Sequence, residues 1–263
     1  MTNVAGSRWV ITGAAGNIGT ALRAALVDLQ VDLVSTDLRS TAPAGPGDSV
    51  MTLDLADLES LVQLLEGADG VIHLGGIADE ADFHDLAEVN IIGTYHVLEA
   101  ARRAGTPRVV YASSNRVTGM YSAGDHVTPD MPTRPDGFYG VSKVAGEALC
   151  RLYADKFGLR TISVRIGSYE QQPASARDQR TWLSPADAVR AFLAAMTTPE
   201  PTAVFYAVSA NSHRWWDLDA GTAAGYTPQD NAAQWSAPEN IDPSTPQGGT
   251  YATPAYSIDP MRR

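Results

Sequence analysis

The sequence predicts an α/β fold built on a doubly wound parallel sheet, and three observations lead to it. Short apolar runs alternate along the chain with stretches whose apolar residues repeat at helical spacing. The first run, 8–12, ends in three glycines that recur every third residue, Gly13, Gly16 and Gly19. The second run ends in an acid, Asp37. Together these features predict a Rossmann-type sheet to which a small C-terminal substrate lobe and an irregular tail are attached.

The glycine-rich turn is predicted to bring bare backbone close to a ligand. Gly13 permits a tight turn, Gly16 lets the backbone approach a diphosphate, and Gly19 lets the next helix pack closely on its strand. The helix begins at about Asn17, so its free N–H groups and the positive end of its dipole face the anion. A glycine triplet on its own also fits an ordinary turn, so the prediction needs support from other parts of the chain.

The acid after the second strand indicates which dinucleotide is bound. A carboxylate at the position of Asp37 can accept hydrogen bonds from both hydroxyls of an adenosine ribose, and it repels a 2′-phosphate. NAD is therefore favoured over NADP as the cofactor. Arg39 lies close enough in sequence to weaken this preference, although a solvated surface charge is the simpler interpretation of that residue.

Two further strands are predicted to end on the same edge of the sheet, where open parallel sheets bind their ligands. The strand at 50–53 is followed by Asp54, which suits the adenine amino group or simply begins a loop. The strand at 71–74 runs into paired glycines, Gly75 and Gly76, which again suggest backbone close to a ligand. Both strand ends therefore add candidates to the site that the glycine turn begins.

A fifth strand supplies candidate side chains for chemistry. The strand at 108–112 ends in three small polar residues, Ser113, Ser114 and Asn115. Such residues are typical of turns, but their place at the carboxyl end of a strand favours a functional role. In the long helix that precedes this strand, Asn90 is expected to brace a neighbouring strand through hydrogen bonds.

A tyrosine and a lysine four residues apart begin the helix that follows. Tyr139 and Lys143 stand on one helical face, although a structural pair is the simplest interpretation of this spacing alone. A free tyrosine has a pKa of about 10 and is a poor base at neutral pH. The Lys143 ammonium is expected to lower the pKa of the Tyr139 phenol. With Ser114 holding the same oxygen, these residues predict an alcohol-oxidising site in which Tyr139 takes the hydroxyl proton and hydride passes to a nicotinamide.

The remaining segments complete the alternation of strands and helices. Ser168 follows a sixth strand, and the polar stretch after it, 169–182, is predicted to be irregular and contains Arg177 and Arg180. Ser184 is expected to cap the next helix, since a hydroxyl followed by proline and an acid is typical of a helix start. The other predicted elements are a loop over the site at 77–85, helices at 58–65, 86–104 and 139–156, strands at 161–167 and 203–207, and a short helix or turn at 215–218.

The end of the chain differs in composition from the rest. From about Gln234 onward it is rich in Pro, Gly, Ser and Thr and is too irregular for a core element, so we expect it to wrap a neighbouring subunit of a homo-oligomer. A chain of 263 residues has ample material for one substantial core. We therefore predict a single NAD-binding domain over 1–263, with substrate-lobe segments at about 168–184 and 208–263.

The composition excludes several classes of function. The net charge is −11 at pH 7 and no basic run is present, so nucleic acids and anionic membranes are poor partners. No targeting pattern and no apolar run long enough to cross a bilayer is visible, which predicts a cytoplasmic location. Cys150 is the only cysteine and is expected in the core, so neither disulfides nor a thiolate cage is predicted. The five histidines show no ligand spacing, so we expect packed or surface roles for them and no metal site.

The motifs taken together resemble the extended branch of the short-chain dehydrogenase/reductase superfamily. The resemblance rests on the Thr-Gly-x-x-Gly-x-x-Gly pattern at 12–19 together with Ser114, Tyr139 and Lys143. Longer phrases along nearly the whole chain are similar to the NAD-dependent uronate dehydrogenase family, and they lie at 54–57, 73–77, 90–93, 112–115, 134–143, 164–168, 215–217 and 247–250. The superfamily motifs say little about the substrate, whereas these longer phrases are more discriminating.

The resemblance implies oxidation of D-galacturonate or D-glucuronate at C1 of the pyranose, which gives an aldarolactone and NADH. It implies that the catalytic residues are Tyr139, Lys143 and Ser114. The residues assigned to NAD are Gly13, Gly16, Asn17, Ile18, Asp37, Asp54, Leu55, Leu74, Gly75, Tyr139 and Lys143. Those assigned to the sugar are Gly76, Ser114, Asn115, Ser168 and Arg177.

By the same resemblance, Arg177 is expected to bind the sugar carboxylate. A guanidinium can pair with a carboxylate through two parallel hydrogen bonds, and such a charged contact is worth roughly 1.5–3 kcal/mol. Arg180 is the alternative, and the resemblance around Trp182 is the reason for preferring Arg177. Two positions depart from the family's pattern, since Ala78 replaces a serine that touches substrate and Arg116 replaces a common histidine. These departures bear on which sugar is preferred.

Two other functions fit the same motifs. A nucleotide-sugar epimerase or dehydratase of the extended branch usually has a larger C-terminal lobe, and this chain has little sequence beyond Ser168 to build one. A catalytically silent NAD sensor could use the same fold to bind a partner. The intact set of Ser114, Tyr139 and Lys143 argues against the sensor, which has no need of it.

Overall fold

The computed structural model describes residues 4–235 and 240–261. Within these residues, seven parallel strands form one sheet and two short strands form a separate pair. The strands are β1 (Arg8–Thr12), β2 (Asp32–Asp37), β3 (Asp48–Thr52), β4 (Gly70–His73), β5 (Arg108–Ser114), β6 (Arg160–Ile166), β7 (Ser168–Tyr169), β8 (Trp182–Leu183) and β9 (Thr202–Ala207). The order in the large sheet is β3-β2-β1-β4-β5-β6-β9, and β7 pairs with β8.

Helices connect the strands and cover both faces of the sheet, which confirms the predicted α/β alternation. They are α1 (Asn17–Asp28), α2 (Leu58–Leu65), α3 (Phe83–Leu86), α4 (Gly93–Ala104), α5 (Phe138–Phe157), α6 (Asp178–Thr181), α7 (Pro185–Thr197), α8 (Asp219–Ala223) and α9 (Pro254–Met261). A π-helical turn (Ala87–Ile92) joins α3 to α4, and 3₁₀ turns lie at Asn115–Thr118, Ala232–Gln234 and Gly249–Ala252. Ser184 caps α7 as predicted, because its Oγ accepts the N–H of Asp187 at 2.9 Å.

The strand order reverses between β1 and β4, and this reversal positions the site. β1 pairs in parallel with β2 on one side and with β4 on the other. After β1 the chain enters α1 on one face of the sheet, whereas after β4 it enters α3 and α4 on the opposite face. The two connections therefore separate and leave a crevice at the carboxyl ends of these strands.

Two apolar cores cover the two faces of the sheet. On one face, Leu22 and Leu26 of α1 and Phe192 of α7 pack against the sheet. On the other face, residues of α2, α4 and α5 do so, among them Val97 and the lone cysteine, Cys150, which lies in the core as expected. Alternate residues of each central strand point to opposite faces, so both faces of these strands are buried.

Several predicted boundaries were wrong. The segment 77–85, predicted as a loop, already contains the start of α3 at Phe83. The stretch 169–182, predicted to be irregular, is irregular over 170–177 but ends in α6 and β8 and shares Tyr169 with β7. The predicted helix or turn at 215–218 instead contains an isolated parallel bridge to Val127, and α8 begins after it. Each of these segments is ordered by contacts with distant parts of the chain, which a local pattern does not reveal.

Of the helices in the ranges 4–235 and 240–261, none is both long enough and apolar enough to span a lipid bilayer.

Candidate active site

A cavity of about 1010 Å³ opens at the carboxyl ends of the central strands. All residues that the sequence assigned to a cofactor or a sugar line it, namely Gly13, Gly16, Asn17, Ile18, Asp37, Asp54, Leu55, Leu74, Gly75, Gly76, Ser114, Asn115, Tyr139, Lys143, Ser168 and Arg177. We call the part around Gly13, Gly16, Asp37 and Gly75 the glycine end, and the part around Asn115, Arg116, Ser168, Arg177 and Tyr251 the arginine end. Tyr139 and Lys143 lie between them on α5.

At the glycine end, the backbone is shaped to pass close to a ligand. Gly13 has a φ of +71°, and a Cβ atom there would lie 2.6 Å from the backbone nitrogen of Gly75. Gly16 is the N-cap of α1 and makes no side-chain bond to the first N–H groups of that helix. These donors therefore remain available to an anion, and the turn fits the diphosphate of a dinucleotide.

The carboxylate of Asp37 is oriented by the backbone of the same end. Its Oδ2 accepts the N–H of Ala15 at 3.0 Å, and its Oδ1 accepts the N–H of Arg39 at 2.9 Å. The carboxylate thus sits beside the glycine turn, where the predicted ribose contact requires it. The Arg39 side chain is 70 % exposed, with Nε 3.5 Å from Asp37 Oδ1. Arg39 is exposed as a solvated charge is, but it also lines the cavity beside Asp37, and its effect on the cofactor preference stays a prediction.

A buried histidine, His73, links the turn after β1 to the turn after β4 at the glycine end. His73 Nδ1 lies 2.7 Å from Thr12 Oγ1, and His73 Nε2 lies 3.1 Å from Thr94 Oγ1. Since Thr94 donates its own proton to the carbonyl of Asn90, it accepts from Nε2–H, and Thr12 donates to Nδ1. Thr12 in turn accepts the N–H of Gly75 at 3.2 Å. Burial, with help from the Lys143 charge, lowers the pKa of His73 to about 3.

Asn90 has the bracing role predicted for it, although its partners are not in a strand. Its Oδ1 accepts the N–H of Ile77 at 2.7 Å. Its Nδ2 donates to the carbonyl of Ile77 and to Ser142 Oγ, each at 3.0 Å. Asn90 therefore ties the segment after β4 to the helix that carries Tyr139.

The predicted catalytic residues meet where β5 ends and α5 begins. Lys143 Nζ donates to the carbonyl of Ala112 at 3.0 Å and lies 5.6 Å from the centre of the Tyr139 ring. The Ser114 hydroxyl lies close enough to the Tyr139 phenol to act on the pKa of that phenol, which it lowers. All three side chains are buried. The structure therefore brings together the hydroxyl, phenol and ammonium that the sequence singled out.

The expectation that Lys143 lowers the pKa of Tyr139 was wrong in its net direction. Burial raises the pKa of Tyr139 to about 12, against the opposing effects of the Ser114 hydrogen bond and the Arg116 charge. Burial also lowers the pKa of Lys143 to about 8. The physical reason is that a buried group loses its hydration, which disfavours the charged form of both residues.

Arg177 projects into the arginine end and meets only uncharged acceptors there. Its Nε donates to the carbonyl of Gln247 at 2.8 Å. Its Nη1 donates to Ser168 Oγ at 3.1 Å, and its Nη2 to Asn115 Oδ1 at 3.0 Å. Among the residues that the structure describes, no carboxylate lies within 4.0 Å of this guanidinium. A cation without a paired anion therefore faces the cavity.

Arg180, the alternative to Arg177, lies elsewhere. Its Nη1 donates to the carbonyl of Ala176 at 2.7 Å, and its guanidinium lies 5.9 Å from the ring of Trp215. It does not line the cavity, whereas Arg177 does. The structure thus places Arg177, and not Arg180, beside the other residues assigned to the sugar.

Arg116 is the second arginine of this end, and it is fully engaged with carboxylates. Its Nε lies 2.5 Å from Asp136 Oδ1, and its Nη1 and Nη2 lie 3.2 Å from Asp79 Oδ1 and Glu80 Oε2. The guanidinium also lies 4.4 Å from the ring of Tyr251. Three acids therefore surround this buried cation, so its charge is compensated before any ligand binds.

The described part of the C-terminal tail packs on its own chain, and the predicted contact with a neighbouring subunit stays a prediction. Gln247 is buried, donates to the carbonyls of Ser122 and Asp125 at 3.1 and 3.0 Å, and accepts from Trp216 Nε1 at 3.0 Å. Tyr251 then lies over both Arg116 and Arg177, at 4.4 and 5.3 Å. The tail closes one wall of the arginine end, because its aromatic and amide groups find partners there. Positions 236–239, which the prediction also covered, lie outside the described residues.

Sequence reasoning missed several residues of this wall. Asp136 and Gln247 stand inside phrases that resembled a family, but neither was singled out for a contact. Glu80 and Tyr251 carry no local signal, since an acid in a polar segment and a tyrosine in an irregular tail are ordinary surface residues. Their roles arise only from long-range contacts.

Comparison with known proteins gives consistent results. Residues 9–170 match the NAD dependent epimerase/dehydratase family. The chain is 38% identical over 262 residues to a uronate dehydrogenase from Pseudomonas putida, with 96% of this chain and 98% of the relative covered. It is 41% identical over 254 residues to a uronate dehydrogenase from Agrobacterium fabrum, with 93% and 96% covered.

A solved structure shows the same architecture. A tyrosine-to-alanine variant of uronate dehydrogenase from Agrobacterium tumefaciens, in complex with NAD, superposes with a TM-score of 0.87 at 40% identity. The superposition covers 94% of this chain and 97% of that one. The similarity therefore extends over nearly the whole chain.

Proposed function

The chain belongs to the NAD dependent epimerase/dehydratase family, and we propose that it is an NAD-dependent dehydrogenase that oxidises a hexuronate. The substrate is D-galacturonate or D-glucuronate, and the product of oxidation at C1 is the aldarolactone. Relatives named uronate dehydrogenase, 38% and 41% identical over almost their whole length, support this reaction. The roles of individual residues are part of the proposal.

The glycine end suits NAD. Gly13 and Gly16 offer bare backbone and free N–H groups to the diphosphate, and Asp37 offers a carboxylate to the adenosine ribose. Asp54, Leu55 and Leu74 line the same wall. When bound, NAD supplies the nicotinamide ring that accepts a hydride. The remaining chemistry belongs to residues of this chain.

The observation that carries the proposal is Arg177, a partly buried guanidinium whose hydrogen-bond partners are all neutral. A buried charge is costly unless it is paired, so an anionic ligand is favoured at this wall. The uronate carboxylate has the right charge and can accept two parallel bonds. Ser168 and Asn115, which already contact Arg177, are placed to bond the same sugar.

Ser114, Tyr139 and Lys143 remove the proton of the C1 hydroxyl. A C1 hydroxyl placed between Ser114 and Tyr139 can donate its proton to the Tyr139 oxygen in its phenolate form, which becomes the neutral phenol, while Ser114 holds the sugar oxygen. The pKa of about 12 makes the free phenolate rare at neutral pH. Positive charge from Arg116 and Lys143, 5.4 and 5.6 Å from the Tyr139 ring, favours the phenolate that must be present before it can accept this proton.

The test is an assay of NAD reduction, followed by NADH absorbance, with galacturonate, glucuronate and their neutral parent sugars side by side. We expect turnover of at least one uronate, and a kcat/KM at least tenfold below it for the neutral sugar, because only the uronate engages Arg177. NAD reduction by neutral sugars alone, or turnover of a nucleotide sugar without turnover of uronate, would overturn the proposal. Complete inactivity with all substrates, despite tight NAD binding, would favour the sensor.

The assembly into a homo-oligomer and the cytoplasmic location stay predictions. Sizing of the purified protein by light scattering tests the first, and fractionation of the source cells tests the second.

A further inference from the structure

The helix that carries Tyr139 begins without a local cap. Gly137 is the N-cap of α5 and has no side chain to accept the N–H groups of the first turn. These groups have no partners within the helix itself. Glu80, from the segment after β4, supplies them: its Oε1 accepts the N–H of Phe138 at 2.7 Å, and its Oε2 accepts the N–H of Tyr139 at 3.2 Å.

The Glu80 carboxylate is itself held by two further donors. Arg116 Nη2 lies 3.2 Å from its Oε2, and the Ser257 hydroxyl donates to its Oε1 at 3.0 Å. Only 1 % of the Glu80 side chain is exposed. One carboxylate therefore receives four hydrogen bonds, from the start of α5, from the strand-end arginine and from the C-terminal tail.

Gly137 leaves the space that this arrangement needs. A Cβ atom at that position would lie 2.5 Å from Glu80 Oε2 and 3.0 Å from an Arg116 nitrogen. The φ of Gly137 is −171°, which any residue can adopt, so the glycine is required for close approach and not for its backbone conformation. The carboxylate takes the place that a local capping side chain would occupy.

We propose that Glu80 is a positioning residue for Tyr139, a role that rests on the proposed function of this site. It caps α5 from a distant segment and thereby fixes the phenol against Ser114. The negative charge at the helix start is favourable to the helix dipole, and its bonds to Arg116 and Ser257 keep it from turning. Tyr139 depends on this support because one of the two capped N–H groups is its own.

Asp79 offers a matched control. It also pairs with Arg116, at 3.2 Å, and it accepts the hydroxyl of Tyr256 from the tail at 2.8 Å. Its carboxylate makes no hydrogen bond to α5 within the described part of the chain. Loss of its charge therefore perturbs Arg116 and the tail as loss of the Glu80 charge does, but it leaves the start of α5 capped.

The kinetic test compares Glu80→Gln with Asp79→Asn. A glutamine keeps one carbonyl acceptor and turns a donor toward the remaining N–H group, so at least one cap is lost. A small displacement of a reacting group can cost about a hundredfold in rate, and we expect kcat for the uronate to fall about 10–100-fold in Glu80→Gln. NADH affinity, measured by fluorescence, should stay within about twofold. Asp79→Asn should not lower kcat more than about threefold, because the Asp79 charge raises the pKa of Tyr139 and its loss favours the phenolate.

A second measurement is independent of turnover. Hydrogen exchange of the backbone amides in the peptide covering 136–143 should be at least about tenfold faster in Glu80→Gln than in the wild type, and unchanged in Asp79→Asn. If no uronate is turned over by any form, the proposed function fails while this measurement still tests the cap. Equal exchange and equal kcat in the two variants would overturn the role of Glu80.

If Glu80→Gln does not fold, Glu80→Asp replaces it, since it keeps the charge on a side chain that is one methylene shorter. The same faster exchange and lower kcat are then expected, and wild-type values for both would overturn the proposal.

Discussion

The glycine end and the arginine end of the cavity are built from different kinds of contact. At the glycine end, residues close in sequence form the turn, and Gly13, Gly16 and Asp37 are positioned mainly by neighbouring backbone groups. At the arginine end, Arg177 is held by the strand-end residues Asn115 and Ser168 and by Gln247 from the tail. The glycine turn thus depends mainly on local conformation, whereas the arginine end depends on segments far apart in the chain.

The two arginines within the arginine end differ just as clearly. Arg116 is surrounded by three carboxylates, whereas Arg177 contacts neutral oxygens. A buried cation that is paired with carboxylates holds segments of the fold together. A buried cation without a carboxylate partner can bind an anionic ligand. Variants at the two ends should therefore separate cofactor binding from sugar binding, and the following predictions test that separation.

The largest effect is expected at the junction of the two ends. Tyr139→Phe removes the proposed proton acceptor but keeps the ring, so kcat should fall about 10²–10⁴-fold, while NADH affinity stays within about threefold. Tyr111→Phe is the control, because Tyr111 is also buried and its ring lies 5.2 Å from Lys143 Nζ. Steady-state kinetics and NADH fluorescence measure both. Full activity of Tyr139→Phe would show that another group takes the proton.

The next effect concerns the arginine end alone. Arg177→Gln should lower kcat/KM for the uronate about 10–100-fold, since a charged hydrogen bond is worth about 1.5–3 kcal/mol. The neutral parent sugar should change far less, because it has no carboxylate to lose. Arg180→Gln, outside the cavity, is the control. An equal loss for charged and neutral sugars in Arg177→Gln would mean that Arg177 acts on the fold and not on the carboxylate.

At the glycine end, His73 should make stability depend on pH. Its pKa is lowered from 6.5 to about 3 by burial, so the unfolded chain binds the extra proton between these values and stability falls as the pH drops below 6.5. At about 1.4 kcal/mol per pH unit, the loss from this group is about 2 kcal/mol at pH 5. Urea denaturation of the wild type and of His73→Asn at pH 7 and pH 5 measures it.

The variant should lose about 2 kcal/mol less stability between the two pH values than the wild type does. His84→Asn, at an exposed histidine, should keep the wild-type dependence. Parallel pH profiles of wild type and His73→Asn would mean that the imidazole binds its proton as readily in the fold as in the unfolded chain.

The smallest effect should fall on the cofactor alone. Asp37→Asn removes the charge that favours ribose hydroxyls over a 2′-phosphate, so KM for NAD should rise about tenfold and the preference over NADP should shrink. The KM for the uronate should not change. Arg39→Gln is the control, because an exposed ion pair contributes little. A change in uronate KM of the same size would contradict the separation of the two ends.

Much of the glycine end and of the catalytic set could be predicted from local patterns. The glycine spacing, the acid at 37 and the Tyr-x-x-x-Lys helix can each be recognised from a few neighbouring residues. The pKa of Tyr139 could not be predicted in this way, because burial outweighs the nearby charge and burial depends on the whole fold.

The sequence by itself determined the order of the elements, the glycine turn and the Tyr-x-x-x-Lys pair, because these depend on apolar periodicity and on spacing along one strand or helix. The residues assigned to the sugar came from the resemblance to a family. The tertiary structure alone decided which arginine faces the cavity, which arginine is neutralised, and that Glu80 and the tail support the start of α5. Those outcomes rest on hydrogen bonds between segments up to 177 positions apart. Such contacts produce no periodic pattern in the sequence, because each residue comes close to its partner only when the chain folds.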